Sequence, residues 1–309
     1  MSEPILIVVA GPTGSGKSDL GLSLAETFNG EIVNCDSVQL YRHMDIGSAK
    51  TPVSQRRGIP HHLIDILNPD EVFTAGDYQR VSRRALNEIA ARGRVPIVVG
   101  GTGFYLRALI NGLFQGPQRD DSLRGRLSAR KPGSLHRLLT RFDPERARRI
   151  HVNDTQKLIR ALEVCLLSRS AMTSLSTRSE APLHGFHIIR IGLDPPREEL
   201  IKRIHERCER MFQAGLIDEV KRILAMGFPP ESKALESIGY RESLLHIGGE
   251  LTLPQAITAT QIATRQYAKR QRTWFRRETE FTWLYHFGDL QQTFEETKRL
   301  VTSFQKNLE

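Results

Sequence analysis

Residues 11–18 read GPTGSGKS, which is the spacing G-x-x-x-x-G-K-S of a phosphate-binding loop. The pattern has a mechanism. Glycines at 11, 14 and 16 let the backbone curl until successive N–H groups face one anion. A helix starting at Lys17 turns the positive end of its dipole to the same point. Lys17 adds a mobile charge, and the Ser18 hydroxyl can ligate Mg²⁺. Gly11, Pro12, Thr13, Gly14, Ser15, Gly16, Lys17 and Ser18 are therefore the candidate contacts for a phosphate ester. The spacing alone does not say which ester.

The flanks supply the context the loop requires. PILIVVA (4–10) is a continuous apolar run, as expected of a strand buried on both faces, and the following helix should run from Lys17 to about Phe28. EIVNC is a short strand ending at Asp36. Thr74 can cap a helix that runs to about Ala91, with Gly93 as its stop. VPIVV (95–99) is a second buried strand, followed by Gly100, Gly101, Thr102 and the helical FYLRALI. Strands alternating with helices predict an α/β fold, a parallel sheet with helices on both faces. Around Gly116–Pro117 the style changes to short, Arg-rich helical segments, with a break at Pro132–Gly133 and Asp154 placed to cap NDTQKLIRALEVCLL. Strand HIIRIGL (187–193) then returns. A helix begins near Pro196, three helical stretches follow, EFTWLY (280–285) is the last strand and 289–307 a terminal helix. The expected organisation is a core of 1–115 and 186–309 interrupted by an all-helical insertion, 116–185.

Charge is concentrated. The 309-residue chain carries a formal +9, but 116–182 hold 14 Lys/Arg against 7 Asp/Glu, and TRQYAKRQRTWFRR (264–277) holds 6 basic residues and no acid. The rest is net negative. Two confined basic segments suit a protein that grips a polyanion; the alternative is two solvated basic helices. Arg265, Lys269, Arg272 and Arg276 recur on one helical face, with Trp274 off that stripe and open to core packing or to stacking on a base. The 3 cysteines are far apart and form no CxxC pair, so neither a zinc site nor a disulfide framework is indicated. No apolar run reaches the roughly 20 residues of a membrane span, and no signal peptide precedes the first strand, so a cytoplasmic protein is expected.

The carboxylate that could serve the loop is Asp36. In a parallel sheet, the ends of EIVNC and PILIVVA fall on the same edge, where ligands bind. Asp36 is either a base for a second reactant or a structural cap after its strand. Thr102 lies at the same edge; it can hydrogen-bond a leaving phosphate oxygen or cap the following helix. His61 and His62 are adjacent and point to opposite faces if extended, which argues against a shared metal and for a loop role.

Several motifs occur in order: GPTGSGKS, DSVQLYRHMDIGSAK (36–50), GGTGFYLRAL (100–109), NDTQKLIRALE (153–163), RIHERCERMFQAGLIDEV (203–220), SIGYRE (237–242) and KRQRTWFRR (269–277). Together they resemble the tRNA dimethylallyltransferase (tRNA isopentenyltransferase) family, bacterial type, over about residues 5 to 285. The resemblance implies transfer of a dimethylallyl group from its diphosphate to the exocyclic amine of the adenosine immediately 3′ of the anticodon. It implies that the loop grips a prenyl diphosphate with Lys17 and a Mg²⁺ on Ser18. Asp36 would be the general base, Thr102 would sit near the leaving oxygen and Arg207 would support the diphosphate. Contacts to tRNA and its anticodon stem-loop would come from Asp36, Ser37, Val38, Gln39 and Thr102; from Arg124, Gln156, Lys157, Leu158, Ile159 and Arg160 of the insertion; from Ser237, Ile238, Gly239, Tyr240 and Arg241; and from Lys269, Arg270, Arg272, Trp274 and Arg276. A monomer is expected. Ser18 and Ser48 stand where the family often has Thr, and both keep a hydroxyl.

Rival readings share parts of the pattern. A small-molecule or nucleoside kinase would share the loop, the sheet and a base at Asp36, but needs no basic surface. A prenyltransferase for free adenine nucleotides would keep the chemistry and lack the SIGYRE and KRQRTWFRR segments. An RNA-binding module with a vestigial loop would have no use for an intact Gly11–Ser18 pattern beside Asp36 and Thr102.

Overall fold

A computed structural model describes residues 3–114, 116–176, 181–278 and 280–307. In chain order the elements are β1 (Ile5–Ala10), α1 (Lys17–Thr27), β2 (Gly30–Cys35), β3 (His61–His62), α2 (Ala75–Ala91), β4 (Val95–Gly100) and α3 (Gly103–Ile110). Five helices come next, α4 (Asp121–Ser128), α5 (Pro132–Phe142), α6 (Pro144–Arg149), α7 (Thr155–Ser168) and α8 (Met172–Ser176). The chain continues with β5 (His187–Leu193), α9 (Arg197–Gln213), α10 (Leu216–Ala225), α11 (Tyr240–Ile247), α12 (Leu253–Phe275), β6 (Thr282–Leu284) and α13 (Gln291–Lys306). It divides into two compact units, Met1–Leu109 with His184–Glu309, and Ile110–Leu183. The sequence set the corresponding boundaries at 115/116 and 185/186.

The first unit is built on a six-stranded parallel sheet of order β3-β2-β4-β1-β5-β6. Its middle strands are buried because helices cover them: on one face Ile7, Val9, Ile97 and Ile191 pack with Leu20 and Leu24 of α1 and Val301 of α13, and α2 packs against β2 and β4. Register decides where chemistry can sit. Ala10 is level with Gly100 and with Gly192, and Cys35 with Gly100. The carboxyl ends of β1, β2, β4 and β5 therefore share one edge, and the loops after β1, β2 and β4 converge there. Local signals set the helix ends. Thr74 and Asp77 form a reciprocal capping box at the start of α2, and Thr252 with Gln255 does the same for α12.

β3 departs from the sequence reading. His61 and His62 lie in a two-residue edge strand aligned with Ile32 and Val33, not in a loop. Two residues carry too little alternation to register as a strand, and pairing to β2 supplies what local propensity does not.

The second unit is entirely helical among its described residues. Leu135 and Leu139 of α5 interlock with Leu158, Leu162 and Val164 of α7. Pro132 opens α5, where its missing N–H costs nothing. Asp154 caps α7 by accepting from the Lys157 N–H. Asp143, nearly fully buried, accepts from the Arg146 N–H and from the N–H of Thr173, tying α6 to α8.

Candidate active site

Gly14 and Gly16 adopt φ +82°, the left-handed conformation that curls the phosphate loop. Gly16 has no alternative: a Cβ there would lie 2.7 Å from the Asp289 backbone nitrogen. The residue before α1 offers no side-chain cap, which leaves the first helical N–H groups free for an anion. Lys17 is folded back, its Nζ donating to the Pro12 carbonyl at 2.6 Å. Burial, and then the neighbouring Arg207 guanidinium, lower the Lys17 pKa to about 7 against an opposing pull from Asp36. Arg207 comes from α9 and donates to Thr13 Oγ1 at 3.1 Å.

Asp36 follows β2 directly. Its Oδ1 accepts from the backbone N–H groups of Val38 (2.8 Å) and Gln39 (3.4 Å), and its own N–H donates to Asn34 Oδ1 (3.1 Å). The turn thus fixes the carboxylate while a second oxygen stays outside these bonds. Thr102 ties two loops together: its N–H donates to the Cys35 carbonyl at 3.1 Å, and its Oγ1 accepts from the Ser37 N–H at 3.1 Å. The Cys35 thiol is buried and pushed up to about 12, so it stays protonated beside these groups.

Two residues of α12 complete the edge, and sequence reasoning missed both. The Tyr267 phenol lies beside the Thr102 side chain; burial, and then the Asp36 charge, raise its pKa. Gln271 reaches both the phosphate loop and Gly101. Their signal is an i, i+4 pair on the helix face away from the basic stripe, hidden among six cations.

Two cavities open on this edge. One, of about 460 Å³, is lined by Lys17, Ser18, Gln39, His61, Arg203 and Asp289 among others. A smaller one, of about 230 Å³, is lined by Ser37, Val38, Met211, Ser237, Ile238 and Tyr267 among others. Thr13, Asp36, Ser48 and Arg207 line both. A densely charged space facing the phosphate loop and a less charged one therefore meet at a carboxylate, two hydroxyls and a guanidinium. His61 belongs to the first space. Its Nδ1 donates to the Ile59 carbonyl at 2.8 Å, and burial lowers its pKa. It is a neutral group in the wall, where the sequence suggested only a loop residue.

The expected nucleic-acid contacts divide by exposure. Gln156, Lys157, Arg241, Lys269 and Arg270 are exposed, and Ser237 and Ile238 line the smaller cavity. Leu158 and Ile159 are corrected: both side chains are in the core of the helical unit. Tyr240 is corrected too. It is fully buried and donates to Glu219 Oε1 at 2.7 Å. Gly239 is buried as well, its N–H donating to Glu242 Oε2 at 2.7 Å. Trp274 packs. Its ring sits where a Cβ on Gly103 would collide at 2.2 Å, with the Arg107 guanidinium 4.5 Å from the ring centroid. The arginines are held by buried carboxylates. Arg124 and Arg160 bond Glu163 at 2.7 and 2.5 Å, and Arg272 and Arg276 each reach Asp194 at 2.5 Å. Burial alone would raise the Glu163 pKa, but hydrogen bonds from Arg124, the Asp120 N–H and Arg160 bring it to about 2. A groove of about 690 Å³ runs along Arg197, Arg265, Lys269, Arg272 and Arg276.

A parallel-sheet edge with a glycine loop, a carboxylate and a second cavity defines a P-loop α/β protein that brings a phosphate ester to another reactant. Comparison with known proteins narrows that class. The family model described as IPP transferase matches residues 39–278. The tRNA dimethylallyltransferase of Solibacter usitatus is 56% identical over 302 residues, 97% of this chain and 98% of that protein. That of Koribacter versatilis is 52% identical over 94% and 95%. The crystal structure of the tRNA isopentenylpyrophosphate transferase from Bacillus halodurans is 35% identical with a TM-score of 0.75, over 99% of this chain and 98% of that one. A eukaryotic dimethylallyltransferase acting on tRNA superposes with a TM-score of 0.85 at 28% identity, over 98% and 80%. The chain belongs to the IPP transferase family.

Proposed function

We propose that this protein transfers the dimethylallyl group of dimethylallyl diphosphate to the exocyclic amine of the adenosine 3′-adjacent to the anticodon in tRNA, releasing diphosphate. The observation that carries this is the meeting of two cavities at Asp36, Thr13, Ser48 and Arg207. The diphosphate would lie in the larger space, against the loop N–H groups, Lys17 and Arg207. The adenine would enter the smaller one, beside Ser37, Val38 and Tyr267. As the allylic C–O bond breaks, charge develops on the diphosphate, and each well-placed donor to it is worth roughly 3–4 kcal/mol. As the C–N bond forms, the amine proton becomes acidic and Asp36 accepts it, a contribution of about 10²–10⁴-fold.

Mg²⁺ suits the larger space. The Ser18 hydroxyl is exposed, and the Asp19 and Asp289 carboxylates line the same cavity, a set of hard oxygen donors. Ser18 would hold the ion together with the diphosphate, and the ion would supply positive charge to the leaving group. A stacked base cannot reach this depth, so the adenine must be flipped out, which is cheapest in a loop. The anticodon stem-loop would be held by the helical 116–185 segment and by the exposed face of α12. The enzyme would act as a monomer in the cytoplasm. No described helix is long and apolar enough to cross a membrane. A kinase would also seat its acceptor in a second cavity beside Asp36; what favours prenyl transfer is that the relatives named above are transferases that act on tRNA.

The test is incubation of the protein with Mg²⁺, dimethylallyl diphosphate and unmodified tRNA, with the digested nucleosides read by mass. One adenosine should gain a dimethylallyl mass. Phosphate transfer from ATP to a small acceptor, with tRNA unchanged, would make the chain a kinase.

A further inference from the structure

Gln271 lies inside the segment whose neighbours are basic and exposed, yet it is 5% exposed and faces inward. Its Oε1 accepts from the Thr13 N–H at 2.8 Å, and its Nε2 donates to the Gly101 carbonyl at 2.8 Å. The amide has only one orientation that satisfies both: flipped, each half would face a group of its own kind. Thr13 belongs to the phosphate loop after β1, and Gly101 to the loop after β4 that carries Thr102. A Cβ on Gly101 would lie 2.2 Å from Gln271 Nε2, and a Cβ on Gly103 2.2 Å from the Trp274 ring. Gly101 and Gly103 of the GGTG stretch thus receive an i, i+3 pair from α12.

We propose that Gln271 is a positioning residue: its side-chain amide sets the spacing between the phosphate loop and the Gly101–Thr102 loop. This rests on the prenyl transfer proposed above. Three features carry it. The residue is buried. Each of its polar atoms is spent on a different loop of the site. Thr13 lies on the wall common to both cavities, so a shift of its backbone changes how the two reactants face each other. Gln271 also lines the larger cavity, but its amide oxygen and nitrogen are each bonded to a loop of the site. Its loss should therefore slow the chemical step more than it weakens binding, because misplacing reacting groups by about 1 Å can cost on the order of 10²-fold.

The experiment compares wild type, Gln271→Leu, Gln271→Glu, Gln271→Ala, Gly101→Ala and the double variant Gly101→Ala/Gln271→Ala. It measures single-turnover transfer at saturating donor and tRNA, the Kd for inorganic pyrophosphate, and the melting temperature. Gln271→Leu removes both bonds. Gln271→Glu keeps the acceptor for Thr13 but sets a carboxylate oxygen against the Gly101 carbonyl. Gly101→Ala pushes the amide away from the other side. The expected result is a transfer rate lowered about 30–100-fold in these three, with cooperative melting retained and, for the uncharged variants Gln271→Leu and Gly101→Ala, pyrophosphate Kd changed less than about 5-fold. The double variant Gly101→Ala/Gln271→Ala should be no slower than Gln271→Ala, because the added methyl then meets no amide. Rate losses that multiply in the double variant, or a Gln271→Leu rate equal to wild type, overturn the proposal while leaving prenyl transfer intact. Pyrophosphate affinity that falls as far as the rate makes Gln271 part of phosphate binding and overturns it too. A wild-type chain that transfers no prenyl group overturns both readings.

Discussion

Lys17 is a residue whose chemistry the fold changes strongly. Half-buried beside Arg207, it has its pKa lowered to about 7 from 10.5. A bound diphosphate favours the charged form and must raise that value. At pH 8 the free protein therefore holds Lys17 mostly neutral, and donor binding should take up close to one proton. Calorimetry in buffers of different ionisation enthalpy reads this directly. Uptake should be largest between about pH 7 and 10 and vanish below about pH 6, where Lys17 is already charged. No buffer dependence at pH 8 would mean that Lys17 is ordinary. At this scale the sequence was legible where a motif carries its own mechanism: the loop, and Asp36 at a strand end. Tyr267 and Gln271 were not legible, because their face of α12 is defined only by what it packs against. Trp274 needed Gly103 and Arg107 to decide between packing and stacking.

Among the elements, buried carboxylates organise the basic surfaces. Asp194, at the end of β5, holds Arg272 and Arg276 of α12, and Glu163 on α7 holds Arg124 and Arg160. The stripe on α12 thus has two functions. Arg265 and Lys269 are exposed and make no ion pair among the described residues. Neutralising both should weaken tRNA binding and flatten the slope of log K against log salt by about 1.4–1.8. Replacing Arg272 and Arg276 together should instead leave Asp194 buried and unpaired, lowering stability by about 3–5 kcal/mol, read as a fall in denaturation midpoint. Equal effects on salt slope and stability from both pairs would contradict this division. Glu163→Gln should destabilise similarly. The Glu163 pKa lies below its unfolded value of 4.5, so its contribution is complete above pH 4.5 and is lost as pH falls towards 2. Helix starts at Thr74 and Asp154 were legible because capping chemistry is local, whereas the break read at Pro132–Gly133 is the start of α5. β3 was not, because two residues acquire strand character only from β2.

For the whole molecule, alternation of strands and helices gave the parallel α/β class, and the change of style near residue 116 gave a separate helical unit. Strand order was not legible: nothing local says that β1 lies between β4 and β5. That order matters, because it puts the loops after β1, β2 and β4 side by side and makes one edge of the sheet the site. Ligands that bind this edge should stabilise the fold by mass action. Dimethylallyl diphosphate with Mg²⁺ at about 100 times its Kd should add about 2.7 kcal/mol, seen as a rise in melting temperature. Asp36→Ala should show the same rise, since the donor is held by the loop.

That equality leads to the measurement that tests the central claim most directly: Asp36→Ala compared with wild type in single-turnover prenyl transfer, alongside the Kd for tRNA. If Asp36 accepts the amine proton where the two cavities meet, transfer should fall by about 10²–10⁴-fold while tRNA affinity stays within about 3-fold of wild type. Transfer and affinity falling by the same factor would place Asp36 in RNA binding and contradict the account.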